Sequence, residues 1–244
     1  MTFQCNRQET STRNGRIDRC LITVWILGFA VVGASAWSQS VCYGSPAQGR
    51  IEGAVQLPSS AENFEAYAGL SGVLGRNYVH QDVAEVVLSA YRQLSTAMPE
   101  VRYVYGETGS RRGGRFRPHR THQNGTSVDF MVPVVDQQGH SVQLPRSMRN
   151  RWGYDIEFDR QGRYQDLRID YAAIGEHLYQ LHLAAKAHGM DIALLIFDPQ
   201  LMRGVYASKH GAYLQRHLPL MKKKPWVRHD EHYHVDFKLP CRAL

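Results

Sequence analysis

Five of the twelve histidines in this sequence fall in two short segments. The first segment also contains one aspartate, and the second contains three acidic residues. The first segment, residues 119–129, reads HRTHQNGTSVD, and the second, residues 229–236, reads HDEHYHVD. A hydrolytic zinc site needs three protein ligands of histidine or carboxylate type and one open position for water. The two segments together can supply such a site, with structural or pH-sensing histidines as the alternative interpretation.

The spacing within each segment allows the side chains to converge. His122 leaves a polar loop and Asp129 lies on the apolar run behind it, and Gly125 lets the chain turn between them. His232 and His234 are two residues apart, so on a strand their side chains point to the same face. One of these two can bind the metal while the other lies beside the water that the metal activates, because a bound metal lowers the pKa of water towards 7.

The elements that must position these residues are helices and strands in no regular alternation. Apolar side chains recur at helical spacing over residues 82–97 and 170–188, and Asp170 and Gly189 fit an N-cap and a C-terminal stop. Strands are predicted for residues 101–105, 127–135, 154–158, 192–197 and 226–237, a short helix after Pro199, and irregular chain for 43–80 and 106–125. We therefore predict an α+β fold in which a small antiparallel sheet carries the zinc site, flanked by helices and long loops.

Length and composition limit the class of protein. The chain has 244 residues, of which 43% are apolar and 21% charged, and its formal net charge is +7. These values exclude a polytopic membrane protein and a disordered chain. The basic run at residues 222–224 indicates a solvated turn, because no wider basic face with stacking aromatic residues accompanies it. No nucleic-acid partner is therefore expected.

The N-terminus has the pattern of a secretory signal. Residues 1–19 are polar and carry four arginines, residues 21–32 are apolar, and residues 33–36 (GASA) have the small side chains that a signal peptidase accepts. The apolar run is shorter than the roughly 20 residues of a membrane-spanning helix. We predict a signal peptide at residues 1–36, an exported domain at 37–244 and no membrane span after cleavage, with an uncleaved N-terminal anchor as the alternative.

Export changes the interpretation of the cysteines. Cys5 and Cys20 lie in the predicted signal peptide, whereas Cys42 and Cys241 remain near the two ends of the exported domain. In an oxidising compartment two such thiols are expected to form a disulfide, so a cysteine nucleophile is not predicted. A serine nucleophile is not predicted either, because the sequence has no Gly-x-Ser-x-Gly turn.

Residues 106–129, which begin with Gly-Glu-Thr-Gly and contain the first histidine segment, resemble the core motif of the penicillin-insensitive murein endopeptidases. Residues 229–235 resemble the closing His-x-x-His-x-His-Val of that family, which belongs to the lysostaphin / D-Ala-D-Ala metallopeptidase group. The resemblance implies a small sheet carrying one zinc ion held by His122, Asp129 and His234. It also implies that residues 37–244 form a periplasmic zinc metallopeptidase domain that cuts the D-alanyl–meso-diaminopimelyl cross-links of peptidoglycan.

Three further histidines of that family match His119, His232 and His229. The resemblance implies that they support the metal site, transfer protons and stabilise the transition state. Within that set we predict that His232 is the general base, because it shares a strand face with His234. Asp236 shares the same face, and carboxylates there commonly orient a ligand imidazole.

Two alternative functions remain open at this stage. Glu231 lies three residues before His234, the spacing at which D-Ala-D-Ala dipeptidases and carboxypeptidases of the same zinc group place their general base. Strand alternation sends Glu231 to the opposite face from His232, so it serves as the base only if the chain bends there. The second alternative is a non-catalytic module that is stabilised by zinc and binds peptidoglycan without cutting it.

Overall fold

The computed structural model describes residues 39–69, 71–223, 225 and 227–244. The predicted signal peptide, Lys224 of the basic run and Trp226 of the predicted last strand lie outside the described residues. The strands are β1 (Val41–Ser45), β2 (Gln48–Glu52), β3 (Val55–Gln56), β4 (Phe64–Ala66), β5 (Tyr78–Val79), β6 (Tyr103–Tyr105), β7 (Ser127–Met131), β8 (Val134–Val135), β9 (Ser141–Val142), β10 (Arg163–Tyr164), β11 (Leu167–Ile169), β12 (Asp191–Ile196) and β13 (His232–Lys238). The helices are α1 (Gln81–Ala97), α2 (Tyr171–Ala187), α3 (Met202–Tyr206) and α4 (Gly211–His217), and a 3₁₀ segment covers Met148–Gly153.

A five-stranded sheet carries both histidine segments. Its strand order is β12-β13-β7-β6-β4, and every neighbouring pair is antiparallel except β4 and β6. That pair is parallel because the chain crosses between the two strands through helix α1, a connection that returns a strand in the same direction. The α+β class with a small, mainly antiparallel sheet is confirmed, and the parallel β4–β6 pair at one edge was not predicted.

The two faces of the sheet differ in polarity. Tyr233 and Val235 of β13 point into the apolar core. The rings of Tyr91 from α1 and His177 from α2 pack there against Phe130 of β7. The alternate residues of β13 point to the opposite face, which holds the histidines. The helices therefore cover one face of the sheet and leave the other for the site.

Both long helices begin and end close to the predicted residues. The side chain of Asp170 accepts a hydrogen bond from the amide of Ala173 at 3.0 Å, as an N-cap does. Gly189 follows the last turn of α2 with a φ of +70°, the conformation that ends many helices. The capping residue of α1, His80, accepts from the amide of Asp82 through its Nδ1 atom and was not predicted.

Short strands account for two differences from prediction. Residues 43–80, expected to be irregular, contain most of β1 and all of β2 to β5. These strands are two to five residues long and carry polar or glycine residues, so they show little of the alternation that reveals a strand. The predicted strand at 127–135 is divided at Pro133, which cannot donate to a sheet. β7 ends before it, and β8 belongs to a separate four-stranded sheet with order β10-β11-β8-β9.

The predicted strand at 154–158 is absent. The 3₁₀ segment precedes these residues, and they run as irregular chain with Ile156 and Phe158 buried. Their alternating pattern therefore reflects packing of a loop, which is fixed by a hydrogen bond from the amide of Phe158 to Oδ2 of Asp230 at 2.7 Å. The last strand also begins later than predicted, at His232 instead of residue 226.

The predicted disulfide between Cys42 and Cys241 is present, with an S–S distance of 2.07 Å. It joins β1 to the end of the chain across 199 residues. Within the part of the chain that the structure describes, no helix is both long and apolar enough to cross a membrane.

Candidate metal centre and active site

His122 presents a buried nitrogen atom that has no hydrogen-bond partner. The residue is fully buried and has a φ of +65°. Its Nδ1 atom lies 2.9 Å from the carbonyl oxygen of Thr108, which fixes the ring orientation. Its Nε2 atom makes no hydrogen bond among the described residues and lies 3.2 Å from Oδ1 of Asp129. A buried nitrogen left open in this way is the arrangement expected of a metal-ligating histidine.

Asp129 and His234 face each other across the β7–β13 pair. Residues that are opposite in an antiparallel pair have neighbouring side chains on one face, so two residues 105 positions apart come into contact. Nδ1 of His234 lies 2.8 Å from Oδ1 of Asp129. Its other nitrogen, Nε2, lies 2.8 Å from Oδ1 of Asp236, which also accepts from the hydroxyl of Ser127 at 2.6 Å. Asp236 thus orients His234, as the sequence led us to expect.

The opposite charges of His234 and Asp129 shift the pKa values of both groups. Burial acts to lower the pKa of His234, but the carboxylates of Asp236 and Asp129 raise it to about 10. Burial likewise acts to raise the pKa of Asp129, and the surrounding histidines nevertheless hold it well below its usual range. A divalent cation at this point would take the place of the imidazole proton beside the Asp129 carboxylate.

Two sets of side chains can hold a metal ion here, and they share His122 and Asp129. In one set His119 is the third member, and the ligand atoms lie within 4.8 Å of one another. In the other set the third member is His234. The Nε2 atom of His119 already lies 2.6 Å from Oε2 of Glu107, whereas Nδ1 of His234 lies only 2.8 Å from the central carboxylate oxygen. Both imidazoles have one nitrogen beside Asp129 and the other held by a second carboxylate, which is Glu107 for His119 and Asp236 for His234.

Glu107 is the centre of a hydrogen-bond network behind His119. The guanidinium group of Arg76 contacts both of its carboxylate oxygens, and the hydroxyl of Tyr67 donates to Oε1 at 2.7 Å. Burial acts to raise the pKa of Glu107, but hydrogen bonds from His119 and Arg76 lower it to about 2. Glu107 lies within the glycine-containing motif of the sequence, but its role was not predicted.

Tyr154 is a second site residue that the sequence analysis missed. Its hydroxyl donates to Oδ2 of Asp129 at 3.0 Å and accepts from the amide of Glu107 at 2.9 Å. Its ring packs against the rings of His119 and His232. The prediction of a strand at residues 154–158 gave no reason to expect this contact, because the residue reaches the site from a loop.

Glu231 and His232 lie side by side in the structure. Oε1 of Glu231 is 2.8 Å from Nδ1 of His232, and both side chains are buried. The expectation that Glu231 points away from His232 is wrong, because Glu231 precedes the first residue of β13 and strand alternation does not extend to it. Burial raises the pKa of Glu231 to about 8 and lowers that of His232 to about 4. The Nε2 atom of His232 lies 3.9 Å from Oδ2 of Asp129, so this imidazole faces the metal-binding atoms.

His229 occupies the rim next to His232. Their ring centroids are 4.6 Å apart, and Nδ1 of His229 lies 3.0 Å from the carbonyl oxygen of Val227. Burial lowers the pKa of His229 to about 3. Because a carbonyl oxygen only accepts, Nδ1 of the neutral imidazole carries the proton and Nε2 presents a lone pair.

These side chains line one groove with a volume of 740 Å³. Every histidine singled out by the sequence except the buried His122 contributes to its wall. The wall also contains aromatic and aliphatic residues, including Trp152 and Leu74, together with four arginines and five acidic residues. The volume lies within the usual range of ligand-binding sites in proteins.

Comparison with known proteins gives one consistent result. A family model described as penicillin-insensitive murein endopeptidase matches residues 42–243. Proteins named penicillin-insensitive murein endopeptidase from Escherichia coli O1:K1 / APEC and from strains SMS-3-5 / SECEC and UTI89 / UPEC are each 26% identical to this chain over 203 residues. The alignments cover 82% of this chain and 67% of each relative. The residues matched by the family model include both histidine segments.

Proposed function

Because this chain belongs to the penicillin-insensitive murein endopeptidase family, we propose that it is a secreted, zinc-dependent murein endopeptidase that hydrolyses the D-alanyl–meso-diaminopimelyl cross-links of peptidoglycan. One observation carries the proposal. Nε2 of His122 and Nδ1 of His234 lie 3.2 Å and 2.8 Å from the same oxygen of Asp129, and His234 also lines the groove.

The donor set supports zinc as the metal. Two imidazole nitrogens and one carboxylate oxygen are ligands that suit zinc, whereas calcium and magnesium prefer sites built from oxygen alone. The nitrogen of His122 that lacks a hydrogen-bond partner fits such a ligand. When bound, zinc supplies Lewis-acid chemistry, by which a carbonyl group is polarised and water becomes a nucleophile at neutral pH.

His232 accepts the proton from the attacking water in this proposal and returns it to the leaving amine. A general base must lie within hydrogen-bond reach of the proton it removes, directly or through one water. Nε2 of His232 faces Asp129, and Glu231 fixes the ring through its hydrogen bond to Nδ1. Glu231 therefore acts as a positioning residue, and the neutral state of the buried imidazole leaves Nε2 able to accept.

The neighbouring residues stabilise charge that develops on the substrate. His119 is held by Glu107, and that carboxylate is held in turn by Arg76, so the imidazole is fixed at the edge of the site. His229 lies on the other side, against His232. We assign His119 to binding the carbonyl oxygen as it becomes negative, a contribution that fixed hydrogen-bond donors make to many hydrolases, and His229 to fixing the position of the His232 ring.

The proposed location of the enzyme is the periplasm. It rests on the signal-like pattern of residues 1–36 and on the disulfide between Cys42 and Cys241, a bond that persists in oxidising compartments. Cleavage after Ala36 would leave a domain at residues 37–244.

Digestion of purified peptidoglycan tests the proposal. The wild-type protein should release monomeric muropeptides from cross-linked sacculi, and a chelator should stop the release until zinc is added back. His234→Ala should be inactive. The control variant is His140→Ala, because His140 is 78% exposed and does not line the groove. Zinc bound without any release of monomers would refute the endopeptidase and support a binding module.

A further inference from the structure

Four arginines line the groove, and they differ in whether an acidic residue of the protein pairs with them. Arg76, Arg151 and Arg228 each have such a partner. Contacts within these pairs include Arg76 Nη2 to Glu107 Oε2 at 2.7 Å, Arg151 Nη1 to Asp155 Oδ1 at 3.5 Å, and Arg228 Nη2 to Asp230 Oδ2 at 2.5 Å. Arg117 forms no ion pair with any described residue; it is exposed and belongs to the lining of the groove.

The backbone that carries Arg117 is fixed on both sides. The carbonyl oxygen of Arg117 accepts a hydrogen bond from Nη2 of Arg76 at 3.0 Å. The preceding residue, Phe116, is buried with the guanidinium group of Arg76 lying 4.0 Å from its ring centroid. Two residues further on, His119 is held by Glu107. The guanidinium group of Arg117 therefore extends from a rigid base, which reduces the entropy that it loses when it binds a ligand.

Apart from Arg117, the charged residues of the groove provide little electrostatic attraction for an anionic ligand. Five carboxyl groups line it beside the four guanidinium groups: Glu107, Asp155, Glu157, Asp230 and Glu231. Three of the guanidinium groups are occupied by these carboxylates, so only the charge of Arg117 is left for a ligand. A planar guanidinium group without a protein partner is well suited to bind a carboxylate through two parallel hydrogen bonds.

We propose that Arg117 binds the free carboxylate of the diaminopimelyl residue at the cross-link and so determines the specificity of the enzyme for substrates that keep this carboxylate. The inference rests on the proposed function. The scissile bond joins the carbonyl of D-alanine to an amino group of diaminopimelate, and the carbon that bears this nitrogen also bears a carboxyl group. A substrate seated for hydrolysis thus brings a carboxylate next to the site, two residues along the loop from His119.

The proposed contact between Arg117 and the substrate carboxylate is tested by changing each of the two groups in turn. The substrates are purified cross-linked muropeptide dimers, either with this carboxylate free or with it converted to an amide. For the wild-type enzyme, amidation should lower kcat/KM by about 10- to 100-fold, the usual effect of losing a charge-assisted hydrogen-bond pair. Arg117→Ala should cause a similar loss on the free-carboxylate dimer, mainly through KM, and no further loss on the amide. Arg117→Lys should retain part of the discrimination.

The matched control is Arg115→Ala, which removes an exposed arginine of the same loop that does not line the groove. It should discriminate between the two dimers as the wild-type enzyme does. The inference would be overturned if Arg117→Ala discriminated between the two dimers as well as the wild-type enzyme does. It would also be overturned if Arg117→Ala and Arg115→Ala lost the same activity on both dimers.

Calorimetry separates this inference from the proposed function. The monomeric muropeptide that carries the same carboxylate is not cleaved further, so its dissociation constant does not depend on turnover. Tighter binding of the free acid than of the amide by the wild-type protein, lost in Arg117→Ala, supports the carboxylate site even if no dimer is cleaved. Cleavage of dimers without any preference for the carboxylate, in kinetics and in binding, refutes the site and leaves the endopeptidase activity intact.

Discussion

The hydrogen-bonded pair of His232 and Glu231 provides the sharpest test of the mechanism. His232→Ala removes the proposed base, while the three atoms that converge at Asp129 are unchanged, so the protein should still bind zinc. General acid–base catalysis contributes about 10²–10⁴ to the rate, so kcat should fall by that factor, or roughly 2.7–5.4 kcal/mol of transition-state stabilisation.

Glu231→Gln should have a much smaller effect. The carbonyl oxygen of the glutamine can occupy the position of Oε1, 2.8 Å from Nδ1 of His232, and keep the ring oriented. The substitution changes one hydrogen bond without removing it, which costs about 1 kcal/mol. We therefore expect kcat to fall by only about five-fold. Glu231→Ala removes the acceptor entirely and should cost more.

The assay is the release of monomers from saturating muropeptide dimers, with the zinc content of the same samples measured by atomic emission. His140→Ala again serves as the histidine control, because its exposed side chain is remote from the groove wall. If zinc-loaded Glu231→Gln has no turnover and His232→Ala remains active, the base is Glu231, and the mechanism is that of the dipeptidases of the same zinc group.

Three other predictions concern the metal and the stability of the fold. His122→Ala and His234→Ala should each lose bound zinc and activity together, as measured by equilibrium dialysis and monomer release; full activity after thorough chelation would contradict this. Asp236→Ala should weaken zinc affinity about 10- to 100-fold while the fold persists, because it removes the partner that orients His234; an unchanged affinity would argue against that role. Replacing Cys42 and Cys241 by serine opens a loop of 199 residues and should destabilise the fold by about 5 kcal/mol, or roughly 10–20 °C in Tm, with kcat unchanged; calorimetric melting that matches the wild type would count against it.

Local patterns in the sequence predicted the long helices and the side-chain directions on the last strand. Both long helices were found because apolar residues recur at helical spacing and because Asp170 and Gly189 mark the ends of α2. The side-chain direction of His232 and His234 followed from their separation by two residues on a strand. These inferences depend on residues that are neighbours in sequence.

The contacts that complete the site depend on residues far apart in sequence, and periodicity does not reveal these. Asp129 and His234 lie opposite each other only because of the register between β7 and β13, and the two residues are 105 positions apart in the sequence. Glu107 and Tyr154 come from loops, where polar residues show no pattern that separates a site residue from a solvated one. The side-chain direction of Glu231 was predicted wrongly because strand alternation was applied to a residue that precedes the start of β13.

Two of the residues with a strained backbone line the same groove, and a third is the candidate ligand His122. Among the described residues, four that are not glycine have a φ in the left-handed region: His122 at 65°, Arg151 at 49°, Trp152 at 56° and Gln165 at 53°. Such a conformation costs on the order of 1–3 kcal/mol for each residue and persists only where surrounding contacts impose it. For His122 these contacts are complete burial and the hydrogen bond to Thr108, and Arg151 and Trp152 both line the groove. The packing of loops against the sheet, and not the intrinsic preference of the chain, therefore sets the direction in which these side chains point. For that reason the ligand types can be predicted from the sequence, whereas the orientation of the ligands has to come from the folded structure.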